Sequence, residues 1–378
     1  MTAETADGSV QNGVAYPRPD LLKTGVPQKF EYSQPIIDAH THWYSGEFVE
    51  LVVTEGGQNN AKISGPDESG TYTMQAIGRG HGAGYYPYRG SRFMERLIKI
   101  EWQLERMEDR GVDLHSIGMT HPKIYWAPPE FALRLARAQN DGLSELHQQY
   151  PDRFMGQIIL PLQDVNLSLQ ELERAAALPG LRGINLGHHV NGLNASDKSF
   201  WPLWARCEEL DQPLMMHNID PLGPDRLYQG GVDLVNSLGN PFEATLAAVS
   251  MIVSGMLDEF PGLDVYLPHA GGALPWIVGR IDYQIWRGFF SGLALERASQ
   301  YLGRFYYDLI LHDPILTRTM IELVGVDRIV SGTDWPQGMS VWRPVEYVET
   351  IPDITQDEAE AILCRNPAKL LRLTSSTY

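Results

Sequence analysis

From residue 35 onward, short apolar runs alternate with segments whose apolar residues recur every three to four positions. The runs are PIIDAH (35–40), HSIGMT (115–120), FMGQIILPL (154–162), LRGINLG (181–187), PLMMHN (213–218), DVYLPHA (264–270), RFYYDLIL (304–311) and DRIVSGTD (327–334). Helical spacing fills 131–150, 167–178, 201–210, 242–260 and 315–324. Strands separated by helices are βαβ units, which build a parallel sheet. Eight strands over this length predict an α/β fold, a single (β/α)8 barrel of the TIM type. A doubly wound open sheet has the same periodicity and is the alternative. No internal repeat or linker follows residue 33, so the organisation expected is an N-terminal arm (1–33) and one barrel domain (34–378). The connection after strand 1, residues 44–91, is long and glycine-rich and contains HGAGYYPYRGSR (81–92), which reads as a substrate lid. Residues 355–373 read as a helix covering the barrel, interrupted near Pro367, with Ala359, Ile362, Leu363, Leu370 and Leu371 on its apolar face.

Composition removes several classes of function. A net charge of −17 argues against nucleic acid or an anionic membrane surface as partner, since both need a basic footprint. Two cysteines, Cys207 and Cys364, cannot make a disulfide scaffold. No apolar run approaches the ~18 residues of a membrane span, and the first residues lack the pattern of a secretory signal. A soluble, cytoplasmic protein is expected.

The polar residues fall where such a barrel does chemistry. His40 and His42 end the first run, and residues two apart on a strand face the same side. His217 ends the fifth run, His269 the sixth and Asp334 the eighth. The C-terminal ends of barrel strands form one face, where active sites are built. One histidine at a strand end is ordinary structure; five such groups from four strands is a constellation. Three imidazoles and a carboxylate suit one divalent metal such as zinc, and a catalytic site keeps a position open for water. A fifth group that does not ligate can then move protons, and His269 is the candidate. His115, His121, His147 and His312 stand outside the pattern and read as supporting structure.

At these residues the chain resembles the metal-dependent amidohydrolase superfamily, and within it the branch of 2-amino-3-carboxymuconate 6-semialdehyde decarboxylase. The resemblance is carried by IDAHTH (37–42), GINLGHHVNG (183–192), MMHNID (215–220), FPGLDVYLPHAGGALPWIVGRID (260–282), FYYDLILHDP (305–314) and DRIVSGTDWP (327–336). It implies metal ligands His40, His42, His217 and Asp334, with Asp334 also serving in catalysis. It implies that His269 contacts the metal-bound water and transfers a proton. Arg280 matches an arginine that reaches a substrate carboxylate in the neighbouring subunit, which implies a homodimer. The chain departs from the pattern at Met94, where the resemblance places a substrate-binding arginine; Arg89, Arg92 and Arg96 stand close by as substitutes. His189 and Asn191 either line the pocket or brace their loop, and Trp335 is either a pocket wall or packing. The expected activity is metal-dependent, non-oxidative decarboxylation of a conjugated or aromatic carboxylic acid. The alternative is hydrolysis of a carbon–carbon bond in a ring-cleavage product, or hydration of an unsaturated acid, at the same site. Zinc is the expected metal and manganese the alternative, because some decarboxylases of the superfamily use it.

Overall fold

The computed structural model describes residues 28–76 and 91–373. Most of the tyrosine-rich stretch, Arg89 with it, and most of the arm lie outside the described residues. Residues 28–32 run along the barrel domain: Gln28 N donates to the Glu349 carbonyl (3.3 Å), while Phe30 N and the Tyr32 hydroxyl donate to the Glu349 carboxylate (3.1 and 3.3 Å).

Seven parallel strands follow one another around the core in chain order: β1 (Ile37–His42), β2 (Leu114–Gly118), β3 (Phe154–Ile159), β4 (Leu181–Gly187), β5 (Leu214–His217), β6 (Val265–Leu267) and β7 (Phe305–Tyr307). Helices cover their outer faces, so the strands are buried on both sides, as their almost continuous apolar character requires. The eighth run closes the barrel without forming a regular ladder. Single parallel bridges join Ile329 to Tyr307 and Trp335 to Thr41. Between them Val330 N donates to the Tyr307 carbonyl (2.8 Å), Ala39 N to Ser331 (2.8 Å), Asp334 N to His40 (2.9 Å) and His42 N to Trp335 (2.7 Å). The segment is irregular because Asp334 takes a left-handed backbone, φ 64°, that no strand accommodates.

Side chains reinforce this seam. The buried Asp38 carboxylate on β1 accepts from Thr333 N (3.0 Å), from the Thr333 hydroxyl (2.5 Å) and from Arg110 Nη2 (2.8 Å). Arg110 also reaches the Thr333 hydroxyl (2.8 Å), the Trp342 carbonyl (3.1 Å) and His115 Nε2 (2.8 Å). Every polar atom of this ion pair has a partner from a different element, the condition under which burial of two charges is tolerated.

The longer helices are α1 (Gly46–Glu55), α2 (Ile100–Arg110), α3 (Pro129–Gln149), α4 (Val165–Ala175), α5 (Trp201–Glu209), α6 (Asn240–Val253), α7 (Leu274–Trp286) and α8 (Pro314–Val324). The connection after β1, expected as one long loop, holds regular structure. It opens with α1, capped by the Ser45 hydroxyl on Phe48 N and burying Phe48, Val49 and Val52. A small antiparallel sheet follows, made of Ala61–Ser64, Tyr72–Ala76 and Ser91–Phe93. The glycines that follow α1 mask its helical spacing.

The C-terminal helical segment starts at a Thr355/Glu358 capping box. It widens by one residue over Ala361–Arg365, then continues through Asn366–Leu370. The interruption thus falls just before Pro367. Asn366 N donates to Ala361, one residue further back than in an α-helix. Pro367 has no N–H to give to the Ile362 carbonyl, which instead accepts from Ser331 N of the eighth segment at 2.8 Å. The five residues expected on the apolar face are all buried.

Candidate metal centre

The C-terminal ends of β1 and β5 and the eighth segment bring His40, His42, His217 and Asp334 together, with one ligand atom from each lying within 4.8 Å of all the others. All four side chains are buried. Asp334 Oδ1 is the focus: His42 Nε2 lies 2.9 Å from it, His40 Nε2 3.5 Å and His217 Nε2 3.7 Å. The Nε2 atoms of His40 and His217 are fully buried and make no hydrogen bond. Buried polar atoms without partners are costly, so two of them aimed at one carboxylate mark a place for a cation.

The other ring nitrogen of each ligand is held by oxygen. Nδ1 of His40 is 3.2 Å from Asp308 Oδ2, that of His42 3.2 Å from the Gly118 carbonyl, and that of His217 2.9 Å from the Asn218 carbonyl. With Nδ1–H donated in each case, all three Nε2 lone pairs face inward, the arrangement common to metal-ligating histidines. Burial pushes the pKa of His42 down to about 4 and that of His217 well below the ordinary imidazole range. Burial also pulls on His40, but the bond to Asp308 and the charges of Asp334 and Asp308 outweigh it and leave that pKa raised. Burial alone would raise Asp334, yet the imidazoles of His217, His42 and His40 gathered around it hold it well below the carboxylate range. Three histidine nitrogens and one ionised carboxylate form a single divalent-metal site whose donor set fits zinc or manganese.

His269 stands beside the quartet, not in it. Its ring centroid is 6.0 Å from that of His40 and 6.4 Å from that of His217, and its buried Nδ1 has no hydrogen-bond partner. Its backbone is left-handed, as is that of Ala270 (φ 55° and 54°), and Gly271 and Gly272 continue the same way. Glycine is required at 272, where a Cβ would collide with the Pro241 carbonyl. What holds this turn is Asp308, at the end of β7, which sequence reasoning missed. Its carboxylate accepts from His269 N (3.0 Å), Ala270 N (2.7 Å), Ile310 N (3.1 Å) and the Tyr266 hydroxyl (2.7 Å), besides facing His40. The strand-end rule that found the histidines also points to Asp308, the residue after FYY in its run. Gly332 leaves room for it, since a Cβ there would lie 2.9 Å from Asp308 Cβ and 3.1 Å from His40 Cβ.

The remaining candidates scatter. Both ring nitrogens of His189 are engaged near their own loop: Nε2 lies 2.8 Å from the Asp220 carbonyl and Nδ1 accepts from Gly192 N (3.1 Å). Asn191 donates to the Tyr125 carbonyl (3.0 Å). Trp335 is buried, stacked on Trp102 at 5.2 Å with the Arg110 guanidinium 4.3 Å from its ring. Arg92 is exposed on the small sheet, and Arg96 is half-buried in the short helix Glu95–Ile98. Arg280 is exposed on α7, on the outside of the barrel. Of the four histidines set aside, His115 serves Arg110, His121 lies 3.2 Å from Asp220 and His147 2.8 Å from the Phe154 carbonyl. Among the described residues no helix is long and apolar enough to cross a membrane.

A family model described as amidohydrolase matches residues 37–373. The chain is 33% identical over 260 residues to a 2-amino-3-carboxymuconate-6-semialdehyde decarboxylase of Dictyostelium discoideum, covering 67% of this chain and 71% of that one. It is 30% identical over 276 residues to a gamma-resorcylate decarboxylase of Polaromonas, covering 67% of this chain and 82% of the other. Among solved structures, a dihydroxybenzoic acid decarboxylase of Polaromonas with bound manganese and the inhibitor 2-nitroresorcinol superposes with a TM-score of 0.69 at 22% identity, over 91% of this chain and 99% of that one.

Proposed function

The chain belongs to the amidohydrolase family, and on that premise we propose that it is a metal-dependent carbon–carbon lyase that removes CO2, without oxidation, from an aromatic or conjugated carboxylic acid. The observation that carries the reading is His269: a buried imidazole with an unpartnered nitrogen, beside the ligand quartet and outside it. His40, His42, His217 and Asp334 hold the metal, and a bound divalent ion supplies Lewis acidity toward the oxygens of the substrate. Zinc is the metal we assign from the three-imidazole donor set; the manganese of the solved neighbour makes it the alternative to test.

In the reaction the bond between the ring or chain carbon and the carboxylate breaks, and CO2 leaves. The electron pair stays on carbon, which takes up one proton. His269 delivers that proton. Burial lowers its pKa while the charges of Asp334 and Asp308 work in the opposite sense. Burial prevails and leaves the pKa of His269 lowered, so a proton taken up at this imidazole is readily given to carbon. Asp308 fixes the backbone on which His269 sits and orients the ring of His40, so the proton donor and the metal site are set by one carboxylate.

The chain is also proposed to act as a homodimer in which Arg280 reaches the partner's site. Arg280 projects outward from α7, and exposed Trp276, Ile277, Tyr283, Trp286 and Phe289 lie on or just after the same helix. That apolar stripe supports a second copy as its cover.

The test is mass spectrometry of metal-loaded enzyme with a panel of hydroxybenzoates, aromatic dicarboxylates and ring-cleavage acids, run with wild type and His269→Ala. A product lighter by CO2 is expected from wild type, with turnover lost and metal retained in the variant. A product heavier by water would establish hydratase chemistry instead, and two fragments that together add one water would establish hydrolase chemistry. Loss of metal from His269→Ala would make His269 a ligand.

A further inference from the structure

The ladder between β1 and β2 ends at the pair His42 and Gly118, and the Gly118 carbonyl faces Nδ1 of His42 at 3.2 Å. That carbonyl belongs to the peptide unit joining Gly118 to Met119. Lying beyond the ladder, this unit takes the partner of its N–H from a side chain: Met119 N donates to the Asn185 side-chain oxygen (3.2 Å). A peptide unit is a rigid plane, so fixing its N–H fixes the direction of its C=O. Asn185 therefore decides where the acceptor of His42 points.

Asn185, on β4, is itself held from two sides. Its oxygen also accepts from Lys123 Nζ, and the same Nζ donates to the Met119 carbonyl at 2.6 Å. Lys123 thus bridges Asn185 and the backbone just past the peptide unit. It is 3% exposed. Burial drives its ammonium toward the neutral form, and a neutral amine has two N–H groups, as many as the acceptors here. On the other side, Asn185 Nδ2 donates to Gln157 Oε1 on β3 (2.8 Å). Gln157 Nε2 in turn donates to the Ala39 carbonyl on β1 (3.2 Å) and to the Ser116 hydroxyl on β2 (3.1 Å). The sense of this chain is set at both ends, because Met119 N–H can only donate and the Ala39 carbonyl can only accept. Neither amide can flip without losing its bonds. Gly118 lets the chain pass, since a Cβ there would collide with Asn185 Nδ2 and Gln157 Oε1.

We propose that Asn185 and Lys123 are positioning residues for the metal centre, which set the ring of His42 through the peptide unit between Gly118 and Met119. The hydrogen bonds form a closed circuit over four strands. It runs from Ala39 on β1 through Gln157 on β3 and Asn185 on β4 to the end of β2, and returns to β1 at His42. The direction of the His42 lone pair is thereby tied to the barrel interior and not to the loop that follows β2. The inference rests on His42 being a ligand of the metal.

The test is zinc affinity, by competition against a chelator, for wild type, Asn185→Leu, His42→Ala and the double variant, with circular dichroism confirming each fold. Asn185→Leu is expected to bind zinc about tenfold or more weakly, the usual cost of losing a partner that supports a ligand. In the His42→Ala background the same change should cost little, because the ring it positions is gone. Asn185→Asp keeps an oxygen toward Met119 N–H and should bind zinc more tightly than Asn185→Leu. Lys123→Met should weaken zinc in the same direction, and it carries the comparison if Asn185→Leu does not fold. A folded Asn185→Leu with wild-type affinity overturns the proposal, and so does a loss of equal size with and without His42. Wild-type affinity in Lys123→Met removes Lys123 from the role. If His42→Ala itself binds zinc as wild type does, His42 is not a ligand, and the positioning role fails with that assignment.

Discussion

Asp308 shows how much one side chain can set. It is fully buried and faces the ring of His40 on one side and the backbone of His269 on the other. Neutralising it removes the acceptor that orients His40 without removing any ligand. Asp308→Asn is therefore expected to weaken metal binding by about 10- to 100-fold, the usual cost of losing such a supporting partner. Competition against a chelator of known affinity measures this, and unchanged affinity would mean that the His40 ring is positioned by packing alone. The convergence of His40, His42, His217 and Asp334 was legible in the sequence, because residues two apart on a strand share a face and strand ends share a rim. The burial of His188 and Lys123 was not. Each lies in a loop, where no period says which of several neighbouring side chains turns inward; nothing in GHH distinguishes the buried His188 from the half-buried His189.

At the level of elements, the seam between β1 and the eighth segment has no regular ladder, and Arg110 is one of the side chains that bridge it. The neutral His115 accepts one of the guanidinium N–H bonds. Burial, with the nearby Arg110 charge, holds the pKa of His115 well below its ordinary 6.5. The unfolded chain binds a proton there below about pH 6.5 and the folded chain does not, so stability falls as the pH drops through that range. The slope from this one group is at most about 1.4 kcal/mol per pH unit. Urea unfolding of the metal-loaded protein between pH 7 and 5 should show a shallower loss in His115→Gln, whose amide oxygen still accepts from Arg110. Equal slopes would mean that His115 is protonated in the fold. Strand order and most helices could be read from periodicity. The eighth strand could be read only as an apolar run, because its irregularity comes from the backbone that Asp334 adopts to present its carboxylate. α1 was hidden by the glycines behind it.

For the whole molecule, the exposed stripe on α7 and Arg280 lead to a mixing experiment. Arg280→Ala and His269→Ala should each be inactive as pure proteins. If Arg280 serves the partner's site, mixed dimers restore one intact site each, and an equal mixture recovers about a quarter of wild-type activity. No recovery on mixing, with dimers verified by light scattering, would place Arg280 in its own chain's site or in none. Pro367 has a consequence of another kind. Because the proline leaves the Ile362 carbonyl free to hold Ser331, the segment bearing Asp334 is secured by residues made after it. During synthesis the three histidines emerge before Asp334, and the bond from Ser331 to Ile362 can form only once residue 362 has been made. A chain cut short before residue 362 would carry His40, His42, His217 and Asp334 and lack one of the bonds that hold the segment of the last.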